Sequence, residues 1–222
     1  MKQNREVSYE YHLQKYSEID PLEATARTGL CFDTEASRFT IDLLGQQVFA
    51  EFPEFKLRQG TGPPVASLNK ETGEPSPCLR PVASLTGFAM QVLAMRVLYA
   101  GVHAPLTGSF KAYRELPWGD VYDQNFSGRC IKRFAYGFGF KPEAFAKAAA
   151  PLGGMPLEAG DAAYEFDFMG GIKCRFILWK PDEEFPPSAQ ILFSDNAVLM
   201  YGAEDLAVVG DVLIGALKEM SR

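Results

Sequence analysis

Six prolines (Pro53, Pro63, Pro64, Pro75, Pro77 and Pro81) and three glycines fall between Pro53 and Pro81. Each proline removes a backbone donor and fixes φ, so neither a helix nor a regular ladder is expected through this stretch. The chain is therefore read as one α+β domain over residues 1–222, with a proline-rich loop at about 53–81. Within that loop Pro64-Val65-Ala66-Ser67-Leu68 recurs as Pro81-Val82-Ala83-Ser84-Leu85. Two short copies fall below the about three stacked units a solenoid needs.

The flanks of the loop have different periods. From Val7 to Ala26 the spacing is helical, with Tyr9, His12, Leu13 and Tyr16 on one side. Asp20-Pro21 then reads as a cap followed by proline at the first helical position, predicting two short helices. Cys31 to Asp33, Arg38 to Leu43 and Gln47 to Phe52 are short, aromatic and branched, with Gly45 as a turn, which predicts a small meander. After the loop, Ser84 or Thr86 is read as the cap of a helix running to Tyr99, with Gly101 as its left-handed end. Only Gln91 and Arg96 interrupt its apolar surface from Phe88 onward, so it is expected to be a largely buried central helix, with Met90 and Met95 as core fillers.

Phe110 to Leu116 reads as extended or irregular, Tyr122 to Phe138 as a helix, and Glu143 to Leu152 as another, opened by Pro142 and ended by Gly153-Gly154. Ala162 to Phe168, Lys173 to Trp179 and Ser188 to Phe193 are extended runs whose separators are too short for parallel crossovers, so an antiparallel meander follows. Glu204 to Met220 closes the chain as a helix whose charges suit its dipole. Strand clusters alternating with helix clusters predict antiparallel meanders packed against helices, an α+β fold.

A net charge of −6 leaves no electrostatic source for nonspecific nucleic-acid binding. Leu85 to Gly101 falls short of the about 20 apolar residues that cross a bilayer, and Met1 to Glu10 has no apolar core of a signal peptide, so a cytoplasmic location without membrane contact is expected. Cys31, Cys78, Cys130 and Cys174 lack the close spacing of zinc or iron-sulfur ligands, so no metal site is assigned and they are read as reduced, mostly buried thiols.

Chemistry-bearing residues are sparse. There is no G-x-S-x-G elbow and no phosphate-cradling glycine loop in strand-to-helix context. His12 and His103 are the only histidines, and a structural role is expected for each. From Pro181 to Leu217 seven carboxylates (Asp182, Glu183, Glu184, Asp195, Glu204, Asp205 and Asp211) stand without a lysine or arginine. Crowded carboxylates raise one another's pKa and ligate hard cations, but helix starts and solvated turns produce the same pattern. The middle of the chain interleaves Lys111, Arg114, Arg129, Lys132 and Arg133 with Tyr113, Trp118, Tyr122, Phe126 and Phe134. Such a surface can hold an anionic planar ligand, or can simply pair with the acidic segment across the fold.

Two segments are dense in distinctive residues. One is Pro105-Leu106-Thr107-Gly108, then Tyr113-Arg114-Glu115-Leu116-Pro117, Gly119 and Tyr122. The other is Trp179, Asp182-Glu183-Glu184-Phe185-Pro186-Pro187-Ser188, Ile191-Leu192-Phe193, Asp195, Tyr201 and Glu204-Asp205-Leu206-Ala207-Val208. Together they resemble the family known as the domain of unknown function 3786, found largely in anaerobic bacteria and archaea. The resemblance runs from about Pro21 to Leu217. It implies no established activity. Some relatives resemble fusions to iron-sulfur modules, which this chain does not match because it has no cysteine cluster, so an iron-sulfur partner protein is the remaining link.

Two functions are open at this point. In one, the chain is a small-molecule-binding or accessory protein of anaerobic redox or one-carbon metabolism, with Arg114, Tyr122 and Trp179 contacting an anionic molecule or a partner in a cleft between helices and meander. In the other, it is a hydrolase or lyase in which Glu183 or Glu184 donates a proton and Arg114 holds substrate charge, with a divalent metal as a variant.

Overall fold

Two antiparallel meanders carry the strands of the computed structural model, which describes residues 2–60 and 81–222. Helix α1 (Lys2–Ser17) and α2 (Pro21–Thr28) are separated as expected by Asp20, whose carboxylate accepts the backbone N–H groups of Leu22 and Glu23 at 2.7 and 3.1 Å. Four strands follow, β1 (Cys31–Asp33), β2 (Arg38–Leu43), β3 (Gln46–Glu51) and β4 (Lys56–Gln59), paired in that order. Side chains alternate across the sheet, and its register puts Phe39, Ile41, Leu43, Val48 and Ala50 in the core. Cys31, Thr40, Asp42 and Gln47 share the other face, since Cys31 pairs with Thr40 and Asp42 with Gln47. The hairpin turns at Leu44 and Gly45, both at positive φ, the geometry a two-residue hairpin requires.

Strand β4 corrects the expectation of an unpaired loop from Pro53. Lys56 to Gln59 contains no proline, alternates exposed and buried residues, and pairs fully with β3. The first pentapeptide copy and Cys78 lie outside the described residues.

The central helix α3 (Phe88–Ala100) buries Met90, Leu93, Ala94, Met95, Val97 and Leu98, so the core reading of its methionines holds. Its ends differ from expectation. Gly87 precedes it without a side-chain cap, and Ser84 instead sits in a short turn, with its backbone N–H and hydroxyl donating to Glu219 at 3.0 and 2.5 Å. Gly101 has φ −68, and the carbonyls of Leu98 and Gly101 at this helix end are taken by the Arg27 guanidinium, the former at 2.7 Å. A cation at a helix C-terminus replaces the left-handed cap.

Beyond α3 come β5 (Phe110–Ala112), α4 (Gly119–Phe126), α5 (Arg133–Phe138), α6 (Pro142–Ala149), β6 (Met155–Pro156), β7 (Ala162–Asp167), β8 (Lys173–Trp179), β9 (Ser188–Ser194), α7 (Ala197–Met200) and α8 (Ala203–Met220). A wide π turn, Ser127–Lys132, joins α4 to α5 where one regular helix was expected. The turn presents Arg129 and Arg133 to the same carboxylate, Asp211 of α8. The second sheet has the order β5-β9-β8-β7-β6, antiparallel throughout. Phe134, Phe145, Phe166 and Phe176 form a ring cluster between this sheet and the helices, with centroids 4.9 to 5.9 Å apart along the chain of contacts.

The sheets meet at the β2–β3 turn. Leu44 N–H donates to the Asp167 carbonyl at 3.0 Å, and the backbones of Gly45 and Gly153 approach so closely that a Cβ on either would lie 3.2 Å from the other. That contact holds one end of the space between the sheets.

Candidate functional site

A cleft of about 660 Å³ opens between the two sheets, within the range of ligand pockets. One wall is the non-core face of the first sheet: Cys31, Thr40, Asp42 and Gln47. The facing wall is the turn after β7, with Asp167, Phe168, Gly170 and Gly171, and Gly153 and Met155 close an edge. Thr28 to Leu30 and His103 complete it.

His103 is held by backbone on three sides. Its own N–H donates to the Arg27 carbonyl at 2.8 Å, and its ring Nδ1 lies 3.4 Å from the Gly170 carbonyl. Positions 29 and 171, at φ +73 and +79, flank the ring, and a Cβ at either would stand 3.5 to 3.6 Å from it. A carbonyl accepts only, so Nδ1 carries a proton in that contact. The loop is fixed from behind by Asn196, whose amide donates to Ala104 at 3.0 Å and Gly171 at 3.2 Å. Ser194 in turn donates to Asn196 at 2.6 Å.

Charge in the cleft has one sign. Asp42 and Asp167 line it, with no lysine or arginine among the lining residues. Asp167 is paired with Lys173 at 2.7 Å, whereas Asp42 has no ion pair among the described residues. Cys31 presents an exposed thiol on the same wall, a correction to the expectation of buried cysteines, which Cys130 and Cys174 do meet. Burial pushes the Cys130 thiol up to about 12 and raises Cys174 further, so both are inert. The three described thiols lie on separate elements and do not fit an iron-sulfur cluster, and no three His, Cys, Asp or Glu side chains converge on a cation position among the described residues.

The residues singled out from sequence are placed elsewhere. Arg114 and Tyr122 are exposed near the α4 end of the second sheet, and neither lines a described cavity. Trp179 lines a separate, shallow depression with Asp161, Lys180, Asp182, Phe185, Pro186 and Ser188. The three therefore form no common contact site. Glu183 and Glu184 project from an exposed turn outside both cavities, because the preceding Asp182 folds back to accept the N–H groups of Glu184 and Phe185. Neither carboxyl therefore has, in a described cavity, the shelter that a general acid needs. Arg129 and Arg133 are consumed by Asp211, which is the ion-pairing alternative of the sequence reading, and Arg96, outside that basic stretch, pairs with Asp205 at 3.0 Å.

The two distinctive segments do come together in space. Phe110 pairs with Ser194 and Ala112 with Leu192, and Thr107 donates its hydroxyl to Asp195. Their polar groups brace the fold: Glu115 accepts the Ala112 N–H at 2.6 Å, Tyr113 donates to the Ala203 carbonyl at 2.8 Å, and Tyr201 to that of Leu93 at 3.1 Å. A family described as a domain of unknown function (DUF3786) matches residues 20–216, most of the chain. The chain belongs to the DUF3786 family. No curated protein and no solved structure matches it. Within this DUF3786 domain the two distinctive segments hydrogen-bond to the scaffold, and the loop they brace carries His103 to the cleft. Sequence reasoning missed His103 as a cleft residue; its available signal was the glycine doublets Gly153-Gly154, read as a helix end, and Gly170-Gly171, read as a separator between strands, three of whose members line the cleft.

Proposed function

We propose that this DUF3786 domain is a binding or accessory protein that holds a small polar molecule in the cleft between its sheets. One observation carries the reading. A concavity of ligand size is walled by hydrogen-bonding side chains, Thr40, Asp42, Gln47 and His103, that the core does not use. The lining supports a neutral or cationic ligand rich in donors over the anionic one suggested by the basic middle of the chain. A negative group about 4 Å from Asp42 would meet about 1 to 4 kcal/mol of repulsion, depending on screening, and a positive group would gain the same. The setting, anaerobic redox or one-carbon metabolism with an iron-sulfur partner protein, rests on the family resemblance, and the cytoplasmic location on the hydropathy of the sequence.

The test is equilibrium binding of matched sets of primary amines, polyols and carboxylates to the native chain and to Asp42→Asn and His103→Ala. Amines and polyols are expected to bind in preference to carboxylates. Asp42→Asn should weaken amines about three- to tenfold and leave polyols nearly unchanged, while His103→Ala weakens both. Preferential binding of carboxylates, or amine affinities untouched by both substitutions, would contradict the proposal.

A further inference from the structure

Helix α1 precedes the residues that match the family and touches the rest of the protein along a narrow stripe. Of its side chains beyond residue 5, only His12 and Tyr16 are buried, with Tyr9 and Leu13 half-buried beside them. These lie at i, i+3, i+4 and i+7, one face of a helix. Tyr9 donates to Gln91 of α3 at 3.1 Å and rests on Phe88, with ring centroids 5.8 Å apart. Tyr16 donates to the Glu51 carbonyl at 2.9 Å and packs edge-on against Phe55. His12 sits between them, 7% exposed, with Nδ1 3.0 Å from the Tyr99 hydroxyl of α3.

We infer that α1 is a proton-sensitive latch, docked on α3 while His12 is neutral and released when His12 is protonated. The groups around the ring argue for it. From its own helix it meets the Tyr11 ring, edge-on at 5.3 Å. From α3 it meets Tyr99, whose ring lies nearly parallel, and the positive field of Arg96. The carboxylate that pairs with Arg96, Asp205 of α8, is engaged at 3.0 Å and makes no ion pair with the histidine. A neutral His12 accepts the Tyr99 proton at no electrostatic cost. An imidazolium in the same place would be a buried cation facing a guanidinium, without a carboxylate partner among the described residues.

Burial first, and then Arg96, hold the docked His12 below the usual imidazole value of 6.5. The released helix binds the proton more readily than the docked one. Docking is therefore fully favourable above about pH 6.5 and weakens as pH falls through that value toward the lowered one, by up to about tenfold per pH unit, the limit for one proton. At 16 residues, α1 is close to the length at which an isolated helix is marginal in water, so a released α1 frays.

Hydrogen exchange of the full chain, read by mass spectrometry at pH 7.5 and 5.5 and corrected for intrinsic rates, tests the latch. Amides of the second half of α1 should lose protection several-fold at the lower pH, while those of α8 keep theirs. His12→Gln retains a polar group for Tyr99 but does not titrate, and should show equal α1 protection at both values. Equal protection at both values in the native chain, or the native pH dependence persisting in His12→Gln, would overturn the inference. If His12→Gln leaves α1 unprotected throughout, the native His12 titration followed by NMR decides. With only two histidines, His103→Gln assigns the signals. A His12 pKa below 6.5 supports the latch, and one at or above 6.5 overturns it.

Discussion

At Asp211 the basic middle of the chain and its acidic end meet, and they neutralise each other. Arg129 reaches the carboxylate at 2.9 Å and Arg133 takes its second oxygen. Arg114, from the same basic stretch, is exposed and without an ion pair among the described residues. Partly exposed ion pairs contribute little singly, and a carboxylate shared by two guanidinium groups contributes more. Asp211→Ala is expected to lower unfolding free energy by about 1 kcal/mol, less at high salt, whereas Arg114→Ala should stay within about 0.5 kcal/mol of the native chain in urea titration. A comparable loss in both variants would contradict this assignment. Residue type alone did not separate Arg129 and Arg133 from Arg114, because what distinguishes them is the π turn and the helix facing it.

Among the elements, the β7–β8 pair shows how charge and register cooperate. Glu165 lies opposite Arg175 and bonds it at 2.8 Å, and Lys173 reaches Glu165 at 3.0 Å and Asp167 at 2.7 Å. Burial alone would raise the Glu165 pKa, but the hydrogen bonds from Arg175 and Lys173 outweigh it and hold the carboxyl below its usual 4.5. Glu165 thus stabilises the folded state above about pH 4.5, and that contribution is lost as pH falls through the lowered value. Glu165→Gln should flatten the acid limb of a stability-against-pH curve, and an acid limb as steep as the native one would contradict it. The elements were largely legible in the sequence: short aromatic and branched runs about Gly45 marked β2 and β3, and the apolar run marked α3. What escaped were features set by neighbours. Strand β4 exists because β3 offers it an edge despite the prolines around it, and the end of α3 is closed by Arg27, distant in sequence.

At the scale of the whole molecule, the cleft owes its existence to one sheet resting on the other at Gly45 and Gly153. Its walls come from residues near 28–31, 40–47, 103, 153–155 and 167–171, which no local period links. That is why the candidate site was illegible where the elements were not. The aromatic and basic residues that drew attention in the sequence are exposed, ion-paired or, like Tyr113, Phe126 and Phe134, buried in the core, while His103, in an irregular loop, is positioned by two stretches of backbone, 27–29 and 170–171. The most direct measurement is an NMR titration of the native chain with small amines and polyols, following the His103 ring and the Trp179 indole together. The account predicts that binders move the His103 signal and leave Trp179 unchanged. Binders that move Trp179 while His103 stays still would contradict it.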